Sequence, residues 1–365
     1  MKQFRIAYVI NSVEGGGASR PVPEIAGVLR AAGADVRVFA LQPRDRRGLP
    51  AMIEAGLDPA VREGGLTDHV AAAHWLYKEV RGWGATHIWT SLSRATILGL
   101  LLGPMMGLPV ICWQHAAFLK PWNLRLMRML QGRAFLWIGD SRSVTQLTSA
   151  RLQVPPDRVT CWPIFAADPK IKQAPGWRSG EHIHIGSLGR LHTVKGYDVL
   201  ISALARLKAE GFHPPAPWRL SIAGDGTERD RLAAQARNAG LDNISFTGFT
   251  DQPLQFLESL HLYVQPSRSE GFCIAAHEAM VSGLPVIASA VGELPYSIQH
   301  GKSGLVVRPD DPEALAAGLE TLLSSPECLQ VMGEAARKDI LDRFSVAQFK
   351  ANGTVIVDRI RAASA

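Results

Sequence analysis

Residues 267–288 read SRSEGFCIAAHEAMVSGLPVIA. A polar turn opens the stretch, and alanine and methionine then recur at the spacing of a short helix. Gly283 ends that helix, and the apolar run that follows predicts a buried strand. Glu270 stands before the helix and Glu278 stands eight residues later. If Glu270 lies at the start of the helix, a rise of ~1.5 Å per residue places Glu278 about 12 Å further along, which exceeds the ~5–9.5 Å between the carboxylates of a hydrolase pair.

This spacing suits an extended ligand that is held at two polar ends. In this arrangement we expect the helix N-terminus and the backbone of Gly271, between the two carboxylates, to receive an anion. The alternative is a surface helix that carries two solvated glutamates. The stretch by itself leaves both interpretations open.

The composition excludes several classes of protein. A chain of 365 residues is too long for one ordinary core and predicts two domains. Hydrophobic residues make up 47% and charged residues 20%, which is typical of a globular protein and not of a disordered one. The start has Arg5 inside its apolar run and Asn11 directly after it, which predicts a first strand and not a signal peptide. Residues 95–113 carry no charge, but glycine and proline interrupt them at 103–109, so we expect helix, turn and strand and not a membrane span.

Cysteine and histidine residues are scattered along the chain. The four cysteines form no CxxC pair, and the eleven histidines form no HxxxH or HExxH group. We therefore expect a reduced, cytoplasmic protein without structural disulfides, and we expect neither a metal site nor another cofactor.

The order of elements at the start of the chain predicts a doubly wound α/β domain. Residues 4–10 read as a strand, residues 11–17 as a glycine-rich loop, and a helix and a second strand at 36–41 follow. The loop is not a GxGxxG fingerprint, and no acidic residue ends the second strand to bind a ribose. A NAD-linked dehydrogenase is thereby excluded.

A second α/β unit follows a segment without periodicity. Residues 166–180 are rich in proline, glycine and lysine and predict a linker. Residues 182–188 then predict a strand, and residues 189–196 the loop after it. The pentapeptide GLPVI at 107–111 recurs at 283–287, each time as a helix end followed by a buried strand.

These motifs together resemble those of the retaining GT-B glycosyltransferases of family four. Glu270 and Glu278 match the E-x7-E signature of that family, whose first glutamate contacts the donor sugar and whose second contacts the ribose of the nucleotide. The loop from Gly189-Arg190 to Lys195-Gly196 matches the family loop that neutralises the donor diphosphate, and His115, at the end of a predicted strand, matches a family histidine near the reactive carbon of the sugar.

The resemblance implies a set of site residues. The residues expected to be catalytic are His115, Arg190, Lys195 and Glu270. The residues expected to bind the donor are Gly16, Gly17, Arg190, Lys195, Gly224, Phe249, Glu270, Gly271, Phe272, Cys273 and Glu278. Phe249 is expected near the nucleotide base, and the glycine loop is expected to face the donor diphosphate and the acceptor.

The chain departs from the family pattern at several positions. Cys273 stands where the family usually has glycine, and Ala275-Ala276 replace a proline–valine type of pair. After the next strand the chain has Glu293 and Tyr296 where the family more often has a second glycine and a later glutamate. These departures affect the expected sugar pocket, so the sequence does not identify the sugar.

The resemblance implies an α/β protein of the GT-B class, with two Rossmann-like domains that face each other across a cleft. We expect an acceptor-binding domain at 1–165 that is completed by the helix 346–363, a linker at 166–180 and a nucleotide-sugar-binding domain at 181–345. The implied reaction transfers a sugar from a UDP- or GDP-sugar to a lipid-linked or saccharide acceptor, with retention of configuration and without a metal. The implied context is the synthesis of bacterial cell-surface polysaccharide, lipopolysaccharide or glycolipid. The alternatives are a nucleotide-sugar epimerase of GT-B fold and a non-catalytic nucleotide-sugar-binding protein.

The charge is unevenly distributed, and this suggests a second partner. Residues 1–170 contain 20 Lys and Arg against 12 Asp and Glu, whereas the remainder contains 19 against 21. The segment Trp122–Arg133 combines an apolar stripe with Arg125 and Arg128, which is typical either of an interfacial helix or of a helix packed on a sheet. We therefore expect an anionic membrane surface or an acidic acceptor as a partner of this half, at the inner membrane, and no nucleic acid.

Overall fold

A computed structural model describes residues 3–17, 19–115 and 118–363. The chain divides into two compact units. The first unit contains residues 1–165 and 347–365, and the second contains residues 166–346.

The first unit is built on a parallel sheet. Its strands in the described chain, β1 to β7, are Arg5–Ile10, Asp35–Ala40, Ala60–Val61, His87–Ser91, Val110–Gln114, Leu136–Gly139 and Val159–Cys161. They are ordered β3-β2-β1-β4-β5-β6-β7, and all the pairings are parallel. The order reverses between β1 and β4. Open α/β sheets bind ligands at such a reversal, outside the carboxyl ends of the strands.

Helices cover both faces of this sheet, as parallel sheets require. The helices of the first unit, α1 to α6, are Val22–Ala31, Leu49–Glu54, His69–Trp83, Ser93–Met106, Pro121–Leu130 and Arg142–Leu152. One face of the sheet carries the buried indoles of Trp89 and Trp113, which pack against Trp162. The last helix of the chain, Val346–Ala362, covers them through Phe349, whose ring lies 5.2 Å from that of Trp162.

The second unit repeats the plan with a parallel sheet of its own. Its strands in the described chain, β8 to β13, are Ile183–Leu188, Trp218–Ala223, Ile244–Gly248, Leu262–Gln265, Val286–Ser289 and Gly304–Val307. Its helices, α7 to α13, are Tyr197–Ala209, Arg229–Asn238, Pro253–Glu258, Ile274–Val281, Leu294–Ser297, Pro312–Ser324 and Cys328–Arg343. The last helix of the chain, given above, is α14. The strands are ordered β10-β9-β8-β11-β12-β13, so the order reverses between β8 and β11.

The segment 166–180, for which the sequence predicts a linker, makes its contacts within the second unit. Ala167 N donates to Phe344 O at 2.7 Å, and Ala174 N donates to Ser282 O at 2.8 Å. Lys172 forms an ion pair of 3.1 Å with Glu258. Main-chain hydrogen bonds of this kind fix the segment to its domain, and the composition that predicts a linker does not reveal them.

The uncharged stretch 95–113 folds as helix, turn and strand, as predicted. The helix α4 ends at Met106, Gly107 adopts a left-handed conformation, and β5 begins at Val110. In the described part of the chain no helix is long and apolar enough to span a membrane.

The helix α5, in the segment with the interfacial composition, packs on the core of the first unit. Met127 and Leu130 are buried, and Leu124 packs against the same core. The apolar stripe is therefore not available to a membrane, and that part of the interfacial interpretation is wrong. The opposite face is exposed and carries Trp122 and Met129, which are 67% and 72% exposed, next to the arginines of the segment.

Candidate functional site

Two loops meet where the strand order of the second unit reverses. The loop after β8 carries Lys195, and the loop after β11 carries Glu270. Lys195 Nζ donates to Glu270 Oε1 at 2.8 Å. The same carboxylate oxygen also accepts hydrogen bonds from Ser267 Oγ at 2.6 Å and from Gln265 Nε2 at 3.2 Å. The structure thus brings together two residues that stand 75 positions apart in the sequence.

Burial and charge act in opposite directions on Lys195. Burial alone would lower the pKa of its ammonium, but the carboxylate of Glu270 beside it raises that pKa above the usual range. The ammonium is therefore charged at any physiological pH. A diphosphate that reaches this point meets a charged ammonium that is already paired with Glu270.

Arg190 lies in the same loop as Lys195 but in a different environment. Its side chain is exposed. Within the described residues no carboxylate lies at ion-pair distance from it. Its guanidinium is therefore available to an anionic ligand without first breaking an ion pair.

Gly224 follows β9 and supports the backbone of this loop. It has φ +146°, and a Cβ at this position would lie 1.9 Å from Gly189 O. A side chain here would clash with the main chain of the loop after β8, so position 224 requires glycine because the two backbones lie close together.

The signature glutamates lie on either side of the start of α10. Glu270 precedes the helix, which begins at Ile274, and Glu278 lies inside it. The side chain of Glu270 is 8% exposed and Glu278 is 5% exposed. The alternative of a surface helix with two solvated glutamates is therefore wrong.

Several side chains of the segment between the glutamates are buried. Phe272 packs on His277 with ring centroids 4.0 Å apart, and Cys273 is buried at φ +68°. Burial raises the pKa of the Cys273 thiol, and the nearby Glu270 raises it further. Gly271 contributes its backbone carbonyl, which accepts a hydrogen bond from Glu293 N at 2.9 Å.

Phe249 lies directly after β10. Its ring is 55% exposed, which is unusual for a phenylalanine beside a sheet. An exposed aromatic face at this edge can stack on a planar base.

In the first unit, His115 lies directly after β5 and makes polar contacts on both sides of its ring. Ser91 Oγ is 2.5 Å from Nε2, and Asp140 Oδ2 is 3.5 Å from Nδ1. The side chains of His115 and Asp140 are buried, and the imidazole stacks on Trp113 at 5.5 Å. The predicted strand-end position is confirmed. The sequence does not reveal the contacts with Ser91 and Asp140, because Ser91 ends β4 and Asp140 follows β6, both distant from His115 along the chain.

The glycine loop after β1 is on the surface of the first unit. Gly16 and Gly17 are exposed, and Gly15 N donates to Asp45 Oδ1 at 2.9 Å.

Among the described residues of the chain, no group of three or more histidine, cysteine, aspartate or glutamate side chains could hold a metal ion.

Two family models match the chain, one in each half. Residues 15–165 match the model described as "Glycosyltransferase Family 4", and residues 168–339 match the one described as "Glycosyl transferases group 1".

Several named proteins are similar in sequence. Glycogen synthase of Mycobacterium tuberculosis is 33% identical over 186 residues, which make up 50% of this chain and 42% of that protein. The D-inositol 3-phosphate glycosyltransferase of Thermobispora bispora is 28% identical over 80% of this chain and 72% of that protein. The lipopolysaccharide core biosynthesis mannosyltransferase LpcC of Rhizobium leguminosarum bv. viciae is 32% identical over 46% of this chain and 48% of that protein. The chain thus spans less than half of two of these relatives.

A solved structure is similar over nearly the whole chain. It is that of Anabaena Alr3699/HepE in complex with UDP-glucose, with a TM-score of 0.83 and 20% sequence identity. The likeness covers 97% of this chain and 99% of that one.

Proposed function

The chain belongs to the group 1 glycosyltransferases of family four and has a GT-B fold, and on this premise we propose that it is a retaining glycosyltransferase. It moves a sugar from a nucleotide-diphosphate sugar, with uracil or guanine as the base, to an acceptor. The second unit binds the donor and the first unit binds the acceptor.

The contact between Lys195 and Glu270 is the observation that carries this proposal. It places a fixed ammonium and a buried carboxylate side by side, at the reversal of the strand order. An ammonium suits the donor diphosphate, and a carboxylate suits the hydroxyl groups of the donor sugar. Glu278, further along in α10, suits the ribose.

The reaction breaks the bond between the anomeric carbon and the diphosphate oxygen and forms a bond from that carbon to the acceptor oxygen. Negative charge develops on the departing diphosphate, and Lys195 and Arg190 stabilise it. A phosphate oxygen of the leaving group takes the proton of the acceptor hydroxyl on the same face of the sugar, so the configuration is retained. His115 orients the sugar near its reactive carbon.

The acceptor is a lipid-linked or saccharide molecule used in bacterial cell-surface polysaccharide or glycolipid synthesis. Support for this comes from the similarity to LpcC, whose name places that protein in lipopolysaccharide core synthesis. The excess of basic residues in the first half of the chain favours an acceptor with acidic groups.

The test is a transfer assay that follows both products. Purified protein is incubated with UDP- and GDP-sugars and a bacterial lipid extract. The released nucleotide is quantified, and the anomeric configuration of the product is read from the NMR signal of its anomeric proton. A product with the anomeric configuration of the donor is expected, and inversion would contradict the proposal. Conversion of the donor sugar without an acceptor would identify an epimerase instead. Binding without turnover of any donor would identify a binding protein.

The exposed face of α5 supports a second proposal, that the protein attaches reversibly to an anionic membrane at the inner face. Trp122 and Met129 are exposed there beside Arg125 and Arg128, so the exposed residues, and not the buried stripe, would contact lipid. Each arginine near an anionic leaflet contributes about 1 kcal/mol.

Vesicle flotation tests this attachment. Binding should require anionic lipid and weaken with salt, because exposed charges are screened over ~8 Å at physiological ionic strength. The double variant Arg125→Glu/Arg128→Glu should be released while it remains folded. No binding of the native protein to anionic vesicles at low salt would show that α5 is only a core helix.

A further inference from the structure

The guanidinium of Arg268 connects three segments of the second unit. Nη1 and Nη2 donate to the two carboxylate oxygens of Asp198, each at 2.8 Å. Nη1 also donates to Thr193 O at 2.7 Å, and Nε donates to Asp310 Oδ1 at 2.8 Å. A planar guanidinium is the side chain that can make such a two-pronged contact and still reach further acceptors.

Arg268 lies in one of the two loops that form the candidate site, and its partner Thr193 lies in the other. Arg268 stands two residues before Glu270, and Thr193 stands two residues before Lys195. Asp198 lies in the first turn of α7, which the Lys195 loop enters directly. The side chain of Arg268 therefore spans the gap between the two loops.

The main chains of the two loops are also in contact. Arg268 N donates to Val194 O at 2.8 Å. Gly196 has φ +66°, and a Cβ at this position would lie 2.0 Å from Pro266 O. The two loops are packed so closely that only a glycine fits at 196.

From these contacts we infer that Arg268 is a positioning residue that fastens the Lys195 loop to the Glu270 loop and so holds the ammonium where a diphosphate binds. It acts through Asp198 and the carbonyl of Thr193. The identity of the ligand rests on the proposed function, whereas the fastening itself does not.

The consequence for binding follows from the chemistry of lysine. Its ammonium sits on a flexible four-carbon stem, so its position depends on the backbone that carries it. Misplacement of a charged group by about 1 Å can reduce the rate of a reaction by about 100-fold. Loss of the Arg268 contact should therefore weaken contacts to the diphosphate and leave contacts to the base and ribose nearly unchanged.

The first experiment needs no nucleotide. The wild type and Arg268→Ala are labelled briefly with acetic anhydride, and modification of each lysine is quantified by mass spectrometry, with exposed Lys172 as the internal reference. If the variant releases Lys195 from Glu270, the pKa of Lys195 falls. A fall of one unit gives about tenfold more reactive amine. We expect the labelling ratio of Lys195 to Lys172 to rise by at least about tenfold.

The second experiment uses UDP and UMP as probes in calorimetric titrations. Arg268→Ala should lose about tenfold or more in affinity for UDP and less than about threefold for UMP, because UMP lacks the second phosphate. Asp198→Asn should follow the same pattern to a smaller extent. Arg268→Lys keeps the charge but not the two-pronged contact, so it should behave like Asp198→Asn. This variant replaces Arg268→Ala in both experiments if the alanine variant does not fold.

The matched control is Arg206→Ala. Arg206 is a surface arginine of α7, the helix that carries Asp198, and it also contacts two carboxylates, those of Glu210 and Glu313. The Arg206→Ala variant should leave the labelling of Lys195 and the affinities for UDP and UMP unchanged. Three results would each overturn the inference. The first is unchanged labelling of Lys195 in the folded Arg268 variants, and the second is an equal rise of that labelling in the Arg206→Ala control. The third is an equal loss of affinity for UDP and for UMP. A rise in labelling in a protein that binds no UDP would support the fastening and count against the proposed UDP donor.

Discussion

The two units place different side chains at the same point of their topology. At the strand reversal of the second unit, the loops after β8 and β11 carry the charged pair Lys195 and Glu270. At the reversal of the first unit, β4 ends at Ser91, whose hydroxyl contacts the imidazole of His115. The first arrangement can attract and neutralise an anion, whereas the second fixes the orientation of a single ring.

Both points also contain strained backbone, but on different residues. Leu92, directly after β4, has φ +75°, and Cys273, directly before α10, has φ +68°. Non-glycine residues in such conformations cost about 1–3 kcal/mol and cluster at functional sites. The comparison leads us to expect that changes in the second unit alter nucleotide affinity and that changes in the first unit alter turnover.

The largest effect is expected for Lys195→Ala. Removing the ammonium should reduce nucleoside diphosphate affinity by about 1.5–3 kcal/mol, which is the value of a hydrogen bond to a charged group. It should reduce transfer by about 100-fold or more, because charge on the leaving group is no longer stabilised. The fold should remain intact, since Glu270 keeps its hydrogen bonds to Ser267 and Gln265.

Calorimetry and the transfer assay check this prediction. Glu278→Ala should lose nucleotide affinity in the same way, because it is expected to contact the ribose. Arg206→Ala, on the far end of α7, is the control and should resemble the wild type. Unchanged nucleotide affinity in both site variants would contradict the assignment of this loop pair as the donor site.

His115→Ala should produce the opposite profile in the first unit. Turnover should fall by about 10–100-fold, while affinity for the free nucleotide stays within about twofold, because the ring is expected to meet the sugar and not the base. Ser91→Ala removes only the hydroxyl that contacts Nε2 and should give a smaller loss of turnover of the same kind. Equal losses of turnover and nucleotide affinity would return His115 to a purely structural role.

A buried histidine in each unit predicts how stability depends on pH. Burial lowers the pKa of His87, in β4, to about 4, and burial likewise lowers that of His184, in β8, to about 4. The folded state holds both rings unprotonated, so their contribution is complete above the unfolded pKa of about 6.5. As the pH falls from about 6.5 towards 4, this contribution to the free energy of unfolding is lost progressively, by up to about 3 kcal/mol for each ring.

Thermal unfolding at pH 4–8 checks this dependence. His184→Asn removes one titrating group and should flatten the acid side of the profile relative to the wild type, and His87→Asn should do the same for the first unit. An unfolding temperature that depends on pH equally in the wild type and both variants would show that other groups control acid stability.

The smallest effect is expected for Cys273→Gly. Glycine adopts φ +68° without strain, so the variant should be more stable by about 1 kcal/mol. Denaturant unfolding measures the difference, with Cys273→Ala as the control that removes the thiol but keeps the strain. A glycine variant that is no more stable than the alanine variant would mean that the strain at 273 is compensated locally.

The elements of the fold could largely be predicted from the sequence. Glycine and proline mark the ends of α4 and α10, and apolar runs mark the strands between them. The Lys195 and Glu270 loops could be found because each is a local motif. In the structure their charges meet, since the carboxyl ends of neighbouring parallel strands lie at one edge of the sheet.

Contacts between distant segments could not be predicted in the same way. Arg268 lies in the stretch 267–288, but its partner Asp198 is 70 residues away. The contacts of His115 with Ser91 and Asp140 link the carboxyl ends of three strands, β4, β5 and β6. The apolar stripe of α5 was ambiguous for a different reason, because a helix that faces a core and a helix that faces lipid have the same periodicity.

The thermal shift with UDP, GDP and ADP, each added in turn to the wild type and to Lys195→Ala, tests whether Lys195 and Glu270 form the donor diphosphate site. A ligand at about 100 times its dissociation constant adds about 2.7 kcal/mol to the stability of the folded chain. We expect UDP or GDP to stabilise the wild type clearly more than ADP does, and we expect most of this stabilisation to be lost in the variant. No stabilisation by any of the three, or the same stabilisation in both proteins, would contradict a donor diphosphate site at Lys195 and Glu270.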